Sequence, residues 1–136
     1  AIERARRTPE RLEELESIHR RKTGAMIRVS LKLGGLVAGA ERPQLAALDD
    51  YGRCLGLAFQ ITDDLLDVRS DEAAAGKRVG KDARAGKLTY PGLLGVEASS
   101  RRAIELVREA CRAIDGLGPE AAPLKRLAEY VLERDR

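Results

Sequence analysis

Phe59-Gln60-Ile61-Thr62-Asp63-Asp64-Leu65-Leu66-Asp67 is the stretch on which the reading of this 136-residue chain turns. Its apolar residues recur at helical spacing, so it belongs to a helix. Residues four apart on a helix share a face. Asp63 and Asp67 therefore stack one turn apart, with Asp64 beside them and Gln60 one turn earlier. Apolar flanks set this acidic patch against a partly buried wall. Like charges at this spacing repel, and no Lys or Arg inside the segment lies where it could relieve them. A cation is needed. Carboxylate oxygens are hard ligands that suit Mg²⁺, which one or two carboxylates typically hold together with waters and substrate phosphate.

The segment that follows carries the opposite sign. Residues 63–72 hold five acids and one Arg, a net of −4, and residues 77–87 hold five bases and one acid, a net of +4. Gly76, Gly80 and Gly86 make residues 69–87 read as a pliable loop. A carboxylate patch beside such a loop suits a magnesium-bound diphosphate, and Lys22 adds a further cation. The same spacing also fits a solvated helix end and a surface salt-bridge network.

Helical periodicity extends in both directions. Thr8-Pro9-Glu10 reads as a helix start, and Leu12, Leu15, Ile18, Ala25, Ile27 and Leu31 continue the pattern to about Ala40. Gly24, Gly34, Gly35 and Gly39 interrupt it, which predicts close backbone packing, since each Gly costs a helix about 1 kcal/mol against Ala. Glu41-Arg42-Pro43 is expected to end that helix. A second helix is predicted from about Gln44 to Val68. Thr89 is placed to cap a helix with Pro91 in its first turn. Another helix is predicted over about 100–115, Gly116-Leu117-Gly118-Pro119 as a stop and a start, and a last helix running to near Arg136. No strand-like alternation occurs, so the fold class is all-α.

Composition excludes several functions. No uncharged stretch exceeds nine residues, Leu88 to Val96 being one such stretch, whereas a membrane-spanning helix needs about 20. One Phe, three Tyr and no Trp argue against stacking platforms for single-stranded nucleic acid. A net charge of +3 is too small to imply nucleic acid by itself. Cys54, Cys111 and His19 cannot supply a structural zinc site. Both cysteines fall in apolar helical patterns and read as reduced core thiols, which points to a cytoplasmic setting.

Several motifs together carry a resemblance. Ile18-His19-Arg20-Arg21-Lys22-Thr23-Gly24-Ala25 resembles the HxxKTG helix of trans-isoprenyl diphosphate synthases, the polyprenyl synthetase family. Gly56 through Asp67 resembles that family's second aspartate-rich motif with its leading Phe-Gln. Gly76-Lys77, Gly80-Lys81-Asp82 and Gly86-Lys87-Leu88-Thr89-Tyr90-Pro91 match its trailing loop in order and spacing. The resemblance covers about 18–136 and is strongest to bacterial short-chain members such as farnesyl diphosphate synthases.

It implies an antiparallel helix bundle of isoprenoid synthase type and the head-to-tail condensation of isopentenyl diphosphate with an allylic diphosphate. It implies Mg²⁺ held through Asp63, with Asp64 and Asp67 in support. Lys22 and Lys77 would contact diphosphate oxygens, joined by Lys87 from the loop. Thr23 and Gln60 would line the allylic site, and Phe59 would pack beside the reacting chain. His19 would be a buried hydrogen-bonding partner near the site, and Tyr90 a packing residue with a bonded hydroxyl. The complete enzyme is expected to be a homodimer.

The departures are equally informative. The family's first aspartate-rich motif is missing: Asp49-Asp50 is the only other Asp pair, but Arg53 and Cys54 follow where a third Asp is needed. The Gly-Lys-x-x-Arg motif for isopentenyl diphosphate is missing too. Residues 1–136 therefore read as the C-terminal half of an isoprenoid synthase domain, inactive alone and completed by an N-terminal half. The Arg-rich start at Ala1, without Met, fits a break in a longer chain. The alternative is a non-catalytic subunit or truncated paralogue that binds a full-length synthase. If the chain is such a half, the exposed faces of the first two long helices should be unusually apolar for a monomer.

Overall fold

The structure is a computed structural model that describes residues 10–15, 17–18, 23–74 and 89–134. Residues 10–15 and 17–18 are helical, and a π-helical turn at 23–24 leads into α1 (Ala25–Val37). Next come α2 (Arg42–Ala74), α3 (Tyr90–Leu94) and α4 (Val96–Ala113). Two short 3₁₀ turns, Asp115–Leu117 and Pro119–Ala121, lead to α5 (Ala122–Glu133). The described residues are all-α, with no strand among them. Among the described residues no helix is long and apolar enough to cross a membrane.

α2 is the axis, with α1, α3, α4 and α5 all packed on it. Its faces follow from the helical repeat. Cys54, Ala58, Ile61 and Leu65 fall at steps of three or four and are buried. The Cys54 Sγ lies 3.6 Å from Glu109 of α4, and Leu65 shares a small cavity with Ala103, so α4 runs antiparallel along this face. From its side α4 contributes Ser99, Ala103, Leu106, Val107 and Ala110, again one helical stripe. Each large apolar side chain buried here contributes about 1.5–3 kcal/mol.

A second face holds α5. The Tyr51 hydroxyl donates to the Leu124 carbonyl at 2.7 Å, and its burial pushes the phenol up to about 12. The third face, Gly52, Gly56 and Gln60, meets α1. A Cβ built on Gly56 would stand 3.1 Å from the Gly24 Cα, so the two backbones pass with no room for a side chain. One Cβ on Gly35 would meet Leu45 at 2.8 Å. Farther along, Arg28 grips Asp49 with two hydrogen bonds of 2.7 Å, Nε to Oδ1 and Nη2 to Oδ2. That guanidinium holds the Asp49 carboxyl below the usual carboxylate range.

Several boundaries differ from the sequence expectation. Glu41-Arg42-Pro43 does not terminate α1. The chain turns at Gly39, whose φ of 77° is left-handed backbone open to glycine, and Arg42 and Pro43 already lie in α2. Proline fits a first turn because its missing N–H has no helical partner there. The Glu41 N–H is satisfied by the Gln44 side chain at 2.8 Å. α2 also runs six residues past Val68, to Ala74. Residues 69–74, Arg-Ser-Asp-Glu-Ala-Ala, contain no Gly or Pro to stop it.

The glycines divide as well. Gly24 and Gly35 mark close packing, whereas Gly34 has open space around its Cβ position. The expected cap is present: Gly92 N–H donates to Thr89 Oγ1 at 3.1 Å, ahead of α3 with Pro91 in its first turn. Both cysteines are free, and burial is the largest influence raising each thiol above its ordinary value. Both are poor thiolates; Cys54 is a core thiol as expected, whereas Cys111 is only partly buried. The expected apolar exposure holds for α1, where Met26, Val29, Leu33, Leu36 and Val37 are all more than half exposed. It fails for α2, whose large apolar residues are buried or partly buried.

Candidate active site

The Gly24–Gly56 crossing sets the first part of the site. Gln60 lies one turn beyond Gly56, and Thr23 adjoins Gly24. The helices cross so closely that the Gln60 amide Nε2 donates to Thr23 Oγ1 at 2.5 Å. The two residues expected to line the allylic site are thus joined, although 37 positions separate them.

Asp63 follows on the same side of α2. Its cation comes from an unexpected place. Arg134, the C-cap residue of α5, donates from Nη2 to Asp63 Oδ1 at 3.0 Å and to Thr62 Oγ1 at 2.9 Å. The same nitrogen reaches the Phe59 carbonyl at 3.4 Å, and the guanidinium carbon stands 4.0 Å over the Phe59 ring centre. Stacking a cation on an aromatic face contributes about 0.5–2 kcal/mol. Thr62 is buried, and its hydroxyl also donates to the Phe59 carbonyl at 2.9 Å. The repulsion within the acidic segment is therefore relieved by a residue 71 positions away. Sequence spacing within α2 could not reveal it. The only signal was that the patch needed a cation.

The three carboxylates have different surroundings. Asp64 Oδ2 accepts the Tyr90 backbone N–H at 3.1 Å, tying α2 to the start of α3, where Tyr90 itself is fully buried. Carboxylates are favoured at such N-termini. Asp67 is exposed. Asp63 offers Oδ2, which has no hydrogen-bond partner among the described residues. No three acidic, Cys or His side chains among the described residues converge as a closed metal cage. An open pair of carboxylates one turn apart still fits Mg²⁺, which keeps several waters and shares its coordination with phosphate. Lys22, Lys77, Lys81, Lys87 and His19 lie outside the described residues.

Phe59 and Arg134 also line an apolar groove of about 690 Å³ between α1, α2 and α5. Ile27, Leu31, Leu55 and Val131 form part of its walls. An apolar channel that opens beside a charged, hydrogen-bonding head region suits a ligand with a polar end and a hydrocarbon end.

The comparisons with known proteins agree with one another. The pattern of the polyprenyl synthetase family matches residues 2–116. The chain is 44% identical to the farnesyl diphosphate synthase of Escherichia coli over 129 residues, covering 92% of this chain and 43% of that protein. It is 46% identical to a chloroplastic geranylgeranyl pyrophosphate synthase of Catharanthus roseus, covering 91% of this chain and 35% of that protein. A solved FPP/GFPP synthase from Zymomonas mobilis superposes with a TM-score of 0.75 at 32% identity, over 88% of this chain and 38% of that one. The chain spans less than half the length of these relatives. Where they align, sequence and backbone agree across most of the chain, and on that ground it belongs to the polyprenyl synthetase family.

Proposed function

We propose that this chain supplies the second half of the active site of a short-chain prenyltransferase. The reaction is the Mg²⁺-dependent, head-to-tail condensation of isopentenyl diphosphate with an allylic diphosphate. The observation that carries this reading is the alignment of Thr23, Gln60 and Asp63 along one side of α2, next to the groove that begins at Phe59.

Asp63 binds the metal–diphosphate, with Asp64 and Asp67 in support. Lys22 and Lys77 hold diphosphate oxygens, and Lys87 adds a further contact. Bound Mg²⁺ supplies positive charge against a leaving diphosphate. The two lysines add fixed charge at the same atoms, and preorganised charge of this kind is usually the largest catalytic contribution. Thr23 and Gln60, held by their mutual hydrogen bond, orient the head of the allylic substrate. Phe59 packs beside its chain, and the apolar walls of the groove keep water from the reacting carbon.

The 136 residues contain no first aspartate-rich motif, so the whole reaction needs residues from outside them. Relatives named for farnesyl, geranylgeranyl and geranylfarnesyl products match at 44%, 46% and 44% identity. These matches support short-chain prenyl transfer without singling out one product length.

The test is calorimetry on the protein in its natural length, with Mg²⁺ and a non-hydrolysable bisphosphonate. Asp63→Ala and Lys77→Ala should each weaken binding by about tenfold or more, the scale of a lost charge-assisted contact. Unchanged affinity in both variants rejects the site.

A further inference from the structure

We infer that Arg134 is a built-in counter-cation for Asp63, one that an incoming divalent cation must work against. The inference rests on the reading of Asp63 as a metal-site carboxylate. Three observations carry it. The guanidinium of Arg134 sits at Asp63 Oδ1, and the other carboxylate oxygen is left without a partner among the described residues. Its position is fixed from several directions at once: Thr62 Oγ1, the Phe59 carbonyl and the Phe59 ring. Its Nε, in contrast, is buried with no hydrogen-bond partner among the described residues.

A buried N–H without an acceptor is costly. The guanidinium is thus not seated where all its donors are satisfied. It is seated where its charge meets Asp63 and its plane meets Phe59. Arginine stays charged at any working pH, so this neutralisation persists unless the side chain moves. A divalent cation at Oδ2 meets a carboxylate whose charge is already half shared, with a positive group close by. Metal affinity is lowered until a diphosphate brings enough negative charge to hold metal and guanidinium together. The device favours binding of metal and diphosphate as a unit over binding of metal alone.

The experiment uses the natural-length protein and Mn²⁺ alone as a paramagnetic probe, without diphosphate. Free and bound Mn²⁺ are separated by electron paramagnetic resonance. Arg134→Gln removes the charge and keeps an amide donor. Arg134→Met keeps an apolar stem on Phe59 and serves if the Gln variant folds poorly. Both should bind Mn²⁺ about threefold to tenfold more tightly, as expected for removing one nearby positive charge in a solvent-screened site. Arg134→Lys, which keeps the charge but loses the planar stack on Phe59, should tighten Mn²⁺ binding less than the Gln and Met variants. Asp63→Asn should abolish the binding in every background. A role confined to holding α5 in place predicts equal or weaker affinity in the Gln and Met variants, and that result overturns the inference while leaving the metal site standing. If Asp63→Asn leaves Mn²⁺ binding untouched, the metal reading of Asp63 fails and the inference falls with it.

Discussion

On the face of α2 that meets α4, every position is filled. Cys54, Ala58, Ile61 and Leu65 are at most 2% exposed, and they interdigitate with the apolar stripe of α4. On the face that meets α1, the positions at the same spacing are Gly52, Gly56, Gln60 and Asp63. Here the small residues bring two backbones together, and the polar residues that follow are turned toward one another and toward solvent. One helix thus makes a conventional core on one side and a chemical surface on the other. The first face derives its stability from area removed from water. The second gives up that area and gains a close approach, a hydrogen bond and an ion pair. Perturbing the two faces should therefore have different signatures.

The largest effect is expected on the filled face. Leu106→Ala, at a fully buried position of α4, should lower unfolding free energy by about 2–5 kcal/mol in denaturant titrations. Bisphosphonate affinity per folded molecule should stay unchanged. A loss of affinity without loss of stability would show that the division between faces is wrong.

Gly56→Ala comes next. The added methyl would meet the Gly24 backbone at 3.1 Å, where only a helix shift gives relief. Overpacking of this kind costs about 1–3 kcal/mol. The same shift would pull Thr23 from Gln60, so stability and bisphosphonate affinity should fall together. A variant that loses neither would show that the glycine crossing does not set the site.

The smallest effect belongs to the far end of the α1 contact. Asp49→Asn breaks the bidentate pair with Arg28, whose two side chains are 40% and 46% exposed. Screening at that exposure limits the loss to about 1 kcal/mol or less at neutral pH. Because Arg28 depresses the folded-state value of Asp49, this stability is fully present above the unfolded carboxyl value of about 3.9. It is lost as pH falls through the lower, folded value. Melting curves of parent and variant should differ at pH 7 and converge in acid. A gap that persists unchanged in acid would assign the effect to packing instead of charge.

Much of this was legible in the residues. The helical repeat gave α2 and α4 and their buried stripes, because apolar spacing reports directly on which face leaves water. Thr89 and Pro91 marked the start of α3 through local cap chemistry. The Thr23-Gly24 pair and the Phe-Gln-Ile-Thr-Asp-Asp stretch, read together in the sequence, do lie against each other where α1 and α2 cross. Less was legible at the junctions. Pro43 reads as an end because proline breaks a helix interior, yet it is tolerated in a first turn. The run to Ala74 was masked by its charge, which read as the start of a loop although its residues favour helix. Of the four glycines expected to pack closely, Gly34 and Gly39 have open space at their Cβ positions, and the positive φ of Gly39 marks it as a turn residue.

The sequence by itself determined the class of fold, the identity of the central helix, the family and the acidic segment of that helix. Those properties follow from periodicity and from residues close together along the chain. Only the tertiary structure decided what stands opposite each of them. The partner of Gln60 is Thr23, the partner of Asp64 is the Tyr90 amide, and the cation beside Asp63 is Arg134. These pairs join residues 26 to 71 positions apart. No spacing rule reaches that far, because such contacts are set by how whole helices cross, and the crossing of α1 and α2 depends on two glycines with no side chains to keep the backbones apart.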